Sequence, residues 1–174
     1  DALRLAIRYR ALLGTLFELS LEDDGERVWL VAADYRESPA MAVFNAEFCL
    51  VSLKVTCDDL LGHPLPLLAA RFEHAAPDYE ATYAEHFNCP LHFGARDNAF
   101  AFDKRWLDQP LPLADVITHQ AMAERCRKQN LEFTGRQAWL GRIRQLLRAQ
   151  LNAAPGLEGL AEQMNCSART LRRH

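Results

Sequence analysis

Apolar positions in this chain change period several times, and each change marks an element. Leu3, Ile7, Tyr9, Leu12 and Leu13 recur at helical spacing over residues 2–13 and Gly14 ends the run, which predicts a docking helix. Residues 15–21 and 27–33 alternate instead, and the acidic segment between them holds Asp24-Gly25, a hairpin signal. Ser38 and Pro39 then supply an N-cap and a first helical position for a helix reaching about Thr56. Phe44, Phe48, Leu50, Val51, Leu53 and Val55 make that helix apolar nearly all round, so it is expected to be buried against a sheet. Its rare polar members, Asn45, Glu47 and Ser52, need partners there and face either a ligand or solvent, solvent being the ordinary outcome.

Residues 65–72 read as a strand, and residues 77–87 as a short helix with Tyr79, Tyr83 and Phe87 on one side. Strands at 91–95 and 99–102 flank Arg96-Asp97-Asn98, which predicts a second hairpin. Hairpins force antiparallel neighbours, so about five strands with interposed helices predict an α+β fold with a mostly antiparallel sheet and packed helices.

Beyond Pro110-Leu111-Pro112 the pattern becomes wholly helical. One helix is expected over 113–128 and another over 134–152, capped by Thr134, with an apolar stripe of Trp139, Ile143, Leu146, Leu147 and Leu151. Arg136, Arg142, Arg144 and Arg148 lie mainly off that stripe, facing phosphate or simply solvent. The Asn152-Ala153-Ala154-Pro155-Gly156 segment reads as a hinge.

The last eighteen residues, LEGLAEQMNCSARTLRRH, carry the most chemistry. Leu157, Leu160, Ala161 and Met164 form a short apolar stripe ending at the turn-prone Asn165. Ser167 is placed to cap a second helix on which Leu171 points inward while Arg169, Thr170, Arg172 and Arg173 point outward. Two short helices about a tight turn, the second one cationic, suit a helix-turn-helix: arginine pairs with guanine edges and hydroxyls bond phosphates. An amphipathic helix pair with solvated arginines would share the spacing, and charge partition separates the two readings. Residues 134–174 hold seven Arg or Lys against two acids, whereas residues 1–133 hold thirteen against twenty-one. A basic tail on an acidic body is what a DNA-contacting module attached to a different kind of domain shows.

Other chemistry is thinly supported. Cys49, Cys57, Cys89, Cys126 and Cys166 are odd in number and have no framework spacing, which favours reduced thiols in a cytoplasm. His86, Cys89 and His92 have ligand-like spacing but lack an evident fourth ligand, and His63, His74 and His119 stand singly, so no metal or cofactor is expected. Asp58-Asp59 and Glu73 with Glu85 are the available acid pairs for catalysis, and no phosphate loop, nucleophile elbow or HExxH helix accompanies them, so an enzyme is not expected. No uninterrupted run reaches the ~20 apolar residues of a membrane span.

The eighteen-residue stretch resembles the first helix-turn-helix of the AraC/XylS transcriptional regulators, and HFNCPLHFGARDNAFAFDKRWLDQPLPLAD, residues 86–115, resembles the signature of the subgroup with an arabinose-binding-type sensor domain. Asn88 stands where that subgroup usually has glycine, and asparagine also tolerates the left-handed conformation. The resemblance implies a ligand-sensing and oligomerisation domain over 1–133, a linker helix over 134–154 and a truncated first helix-turn-helix over 155–174. Ser167, Arg169, Thr170, Arg172 and Arg173 would then contact DNA, with Leu160 and Leu171 holding the two helices together. It further implies a piece of a longer cytoplasmic protein, a homodimer without membrane association, that binds promoter or operator DNA and answers to a small-molecule effector. The alternative is a small-molecule-binding or oligomerisation module without autonomous DNA binding.

Overall fold

A computed structural model describes residues 2–149 and 155–173, and the chain divides into two compact units, Asp1–Ala123 and Glu124–His174. The first unit is built on a sheet of five strands, β1 (Glu18–Asp23), β2 (Arg27–Ala33), β3 (Leu67–Phe72), β4 (Leu91–Phe93) and β5 (Asn98–Asp103), in the order β1-β2-β5-β3-β4. All neighbours are antiparallel except β3 and β4. The α+β architecture expected from alternating periods is therefore present.

The first hairpin forms as the sequence predicts. Gly25 takes φ 108° and its N–H donates to the Asp23 carboxylate at 2.9 Å, while the Asp24 N–H donates to the Arg27 carbonyl at 3.1 Å. The left-handed backbone at Gly25 is what makes glycine suited to this turn.

The second predicted hairpin does not form. β5 lies between β2 and β3, and β4 pairs with the far edge of β3, Ala70 opposite Leu91. The turn residues are occupied differently: the Asn98 side chain accepts from the Glu73 N–H at 3.1 Å, and the Asp97 carboxylate grips Arg71. Gly94 and Ala95 meanwhile donate to the carbonyls of His74 and Phe72, both at 2.9 Å. These bonds tie the whole loop to the end of β3, so the chain crosses over β3 rather than folding straight back.

Four α-helices accompany the sheet ahead of β4 among the described residues. The N-terminal run, expected as one helix, breaks at Tyr9 into α1 (Ala2–Arg8) and α2 (Arg10–Leu13). Ser38 makes no capping bond; Pro39–Met41 is a short 3-10 turn leading into α3 (Ala42–Leu61), which ends at Gly62 with φ 74°. Lys54, buried in α3, donates to both Asp58 oxygens at 2.8 and 2.5 Å, and Asp58 also accepts the Leu65 N–H at 2.7 Å, fixing how the chain enters β3. The fourth helix, α4 (Glu80–Phe87), closes at Asn88, which adopts φ 46°, ψ 44° and donates its N–H to the Ala84 carbonyl at 2.9 Å. Asparagine thus performs the left-handed turn anticipated for it.

The core lies between one face of the sheet and one face of α3. Leu30, Phe72, Phe100, Phe102 and Leu50 are fully buried, joined by Ala46, Cys49, Cys57 and Leu61 from α3. Each such large side chain contributes about 1.5–3 kcal/mol by leaving water.

α3 departs from expectation on its other face. Phe44, Phe48 and Val55 are 56%, 64% and 50% exposed, so the helix is not buried all round. A sheet covers only one stripe of a helix, and α4 meets α3 along one further edge. Pro39–Leu61, within which an 18-residue window reaches mean hydropathy 1.4, is also long and apolar enough to cross a membrane by length and composition alone. Reading only uninterrupted apolar runs overlooks it, because Glu47 and Lys54 interrupt the run without lowering the window's mean enough. In this structure those charges are paired or hydrogen-bonded, and α3 packs on β2 and β5 as a core helix.

A 3-10 turn, Lys104–Leu107, follows β5. Where two helices were expected, a single helix, α5 (Val116–Ala149), runs through position 134, and the Thr134 hydroxyl donates to the Asn130 carbonyl at 2.7 Å within it. Thr134 satisfies its hydroxyl inside a continuing helix, so no cap is needed. Trp139, Ile143 and Leu146 are half-buried and Arg136, Arg142, Arg144 and Arg148 exposed; Leu151 and the hinge residues Asn152, Ala153 and Ala154 lie outside the described residues.

Candidate functional site

The second unit ends in α6 (Leu157–Gln163) and α7 (Ala168–Arg173), packed against each other. Leu160 and Ala161 are buried and Leu171 is half-buried, so the apolar stripe read from the sequence is the seam between these helices. Asn165 takes φ 52°, and the Cys166 N–H donates to the Ala161 carbonyl at 2.9 Å, closing the turn after α6. Ser167 then caps α7: its Oγ accepts the Thr170 N–H at 3.1 Å and lies 2.9 Å from the Thr170 hydroxyl. A cap of this kind is worth about 1 kcal/mol, a large share of the stability of so short a helix.

This geometry sorts the five residues singled out in the sequence. Arg169 and Arg172 are exposed, and neither has an acidic partner among the described residues. Ser167 and Thr170 bond one another and hold the helix start. Arg173 ends α7, and its side chain lies outside the described residues. Uncompensated guanidinium groups on a capped helix present charge and five directed donors each to whatever approaches.

A second arrangement, in the first unit, is only partly visible in the sequence. Between α3 and α4 lies a cleft of about 600 Å³ whose walls include Phe44, Phe48, Val51, Val55, Tyr79 and Tyr83. Glu47 and Ser52, two of the polar residues on α3, line it, whereas Asn45 turns away and donates to the Tyr35 hydroxyl at 2.8 Å. The Tyr79 hydroxyl donates to Glu47 Oε1 at 2.8 Å, and the Tyr83 hydroxyl donates to the same oxygen. His74 Nε2 stands 3.4 Å from the Tyr83 hydroxyl. The rings come in stacked pairs, Tyr79 with Tyr83 at 6.0 Å and Phe44 with Phe48 at 6.2 Å. Hydrogen bonding to Glu47 first, and then partial burial, holds the Tyr79 phenol above its ordinary pKa. Burial, reinforced by the same carboxylate, raises Tyr83 further. Both phenols therefore remain donors. Spacing of i, i+4 puts Tyr79, the residue that precedes α4, and Tyr83 within it on one side in the sequence reading, but their meeting with Glu47, 32 and 36 residues away, is tertiary.

The remaining candidates do not converge. Asp58 is held by Lys54 and Asp59 is exposed; Glu73 and Glu85 are both exposed on separate elements. Cys49, Cys57, Cys89, Cys126 and Cys166 are all free thiols, and burial pushes Cys49 and Cys89 up to about 11 and Cys57 up to about 12. Among the described residues no three His, Cys, Asp or Glu side chains gather closely enough to hold a metal ion, and His86 and His92 are exposed. His63 packs edge-on against Trp106 at 5.3 Å, and His119 is exposed.

Residues 1–111 match the family described as the arabinose-binding domain of AraC transcription regulators, N-terminal. The chain is 30% identical over 173 residues to the ornithine utilization regulator of Pseudomonas aeruginosa, covering 99% of this chain and 51% of that protein. In fold it resembles the crystal structure of the transcriptional regulator CdpR from Pseudomonas aeruginosa, with a TM-score of 0.59 at 21% identity, covering 99% of this chain and 56% of that one. The chain thus spans about half the length of the relatives it matches.

Proposed function

Because this chain belongs to the AraC transcription regulators, carrying their arabinose-binding-type N-terminal domain over residues 1–111, we propose that it is part of a ligand-responsive, DNA-binding regulator. Residues 1–133 serve as the sensing and oligomerisation domain, 134–154 as a linker, and 155–174 as the first part of a helix-turn-helix. The observation that carries this reading is the exposure of Arg169 and Arg172, without acidic partners among the described residues, on a helix capped by Ser167. Such a helix offers bidentate donors to base edges, while Thr170 and Ser167 fix its start and reach toward phosphate.

The protein works in the cytoplasm as a homodimer, without catalysis or cofactor. A small metabolite bound by the first unit changes the balance between conformations that present the DNA-reading helices differently, so effector and operator affinities are coupled. The relative named for ornithine utilization supports a metabolite as the effector.

A second reading, a small-molecule-binding or oligomerisation module without autonomous DNA binding, is favoured by the cleft of about 600 Å³ between α3 and α4. One experiment separates the two: salt-dependent binding of the full-length protein to its own promoter, beside an Arg169→Ala, Arg172→Ala, Arg173→Ala triple variant. A steep salt dependence whose slope falls by about one per lost phosphate contact, with loss of site preference, supports the regulator. Equal behaviour of the two proteins sinks it.

A further inference from the structure

We propose that the cleft between α3 and α4 binds a small organic cation, an ammonium group on an aliphatic stem, with Glu47 as its counter-charge. The inference rests on the reading of the first unit as a metabolite sensor and names the site and the ligand chemistry. Three observations carry it.

Glu47 is half-buried and receives hydroxyl donors only; no Lys, Arg or His forms an ion pair with it among the described residues. Hydroxyl hydrogen bonds orient a carboxylate without neutralising it, and a charge held against an apolar wall favours the approach of a cation. Both phenols bond Oε1, which leaves Oε2 with no partner among the described residues and its lone pairs available to a donor. The walls, finally, are mainly aromatic and aliphatic, with Ser52, Thr56, Thr82 and His86 as their other polar members: the cleft is lined by two stacked ring pairs, and Val51 and Val55 extend the apolar surface. Ring faces attract a cation, and an aliphatic stem gains by leaving water on the same surface. A carboxylate or phosphate ligand meets repulsion from Glu47, and a neutral apolar ligand leaves Oε2 unanswered.

Titration of the full-length protein with hexylamine, hexan-1-ol and hexanoate, followed by calorimetry, holds the stem constant while changing the charge. Hexylamine is expected to bind about tenfold more tightly than hexan-1-ol, with hexanoate weakest. Glu47→Gln keeps an acceptor for the tyrosines and removes the preference for the amine while leaving hexan-1-ol affinity unchanged. Phe48→Ala, at an exposed position that leaves the core intact, weakens amine and alcohol together. Equal affinities, or an amine preference that survives Glu47→Gln, overturn the assignment. So does absence of binding by all three; if Phe48→Ala then also turns a dimer into monomers, a second copy of the chain is the occupant. Promoter binding measured in parallel keeps the two readings apart. DNA binding without amine binding refutes the cleft alone, whereas amine binding without DNA binding refutes the regulator and leaves the cleft standing.

Discussion

Arg71 and Asp97 form a two-pronged ion pair, Nε and one terminal nitrogen of the guanidinium donating to the two carboxylate oxygens at 2.5 and 3.0 Å. The pair is where the loop after β4 is fastened to β3. Arg71 also lies 4.1 Å over the Trp29 ring, so two strands, β2 and β3, and the residue just before β5 meet at one guanidinium.

Removing one partner of so enclosed a pair leaves a charge without its match. The side chains of Arg71 and Asp97 are 15% and 9% exposed, and Asp97→Ala is expected to lower stability by about 3 kcal/mol. Urea unfolding monitored by tryptophan fluorescence reads this. A loss below about 1 kcal/mol, the range of exposed pairs, would mean that Trp29 and Glu22 hold Arg71 unaided.

The left-handed turn at Asn88 tests the tolerance inferred from the sequence. Asn88→Gly should be neutral within about 0.5 kcal/mol, whereas Asn88→Val should cost about 1–2 kcal/mol, because a β-branched side chain opposes positive φ. Thermal unfolding of the two variants side by side decides the matter; equal melting temperatures would show that the turn reorganises.

Ser167→Ala removes the oxygen that accepts the Thr170 N–H. The expected cost is about 1 kcal/mol, confined to the second unit. Hydrogen exchange should accelerate at Thr170 and Leu171 and remain unchanged in β5. Unaltered exchange at Thr170 would argue against the cap.

Burial pushes the Cys57 thiol from 9.0 to about 12, with the Asp58 charge adding to the effect, and pushes Cys49 to about 11. Both folded values lie above the ordinary one, so the stability these thiols contribute is complete below about pH 9 and is lost as pH climbs through 11 and 12. Cys57→Ala should therefore flatten the alkaline end of the stability curve. Iodoacetamide at about pH 8 should leave both cysteines unmodified until urea unfolds the protein, as mass spectrometry would record.

Period and turn chemistry make the first hairpin, α4 with its Asn88 cap, and the α6–α7 pair legible in the sequence, because each depends on residues close together along the chain. The crossover of β4 is not legible there. Arg96-Asp97-Asn98 has hairpin composition, but its side chains are claimed by Arg71 and Glu73, partners about 25 residues away. The exposed face of α3 is hidden for a related reason: composition says how apolar a helix is, not how many neighbours arrive to cover it. In the candidate sites, local spacing locates the arginines of α7 and the polar residues of α3. Only the tertiary fold brings Tyr79 and Tyr83 onto Glu47.

The position of β5 bears on how the protein is made. During synthesis the β1–β2 hairpin and the β3–β4 pair emerge first, yet the strand joining them is the last of the five. Until residue 103 has left the ribosome, the inner edges of β2 and β3 have no partner, and unpaired edges are where a nascent chain aggregates or recruits a chaperone. A translational pause before residue 103 has cleared the exit tunnel would prolong that state, and one after it has cleared would shelter the finished sheet.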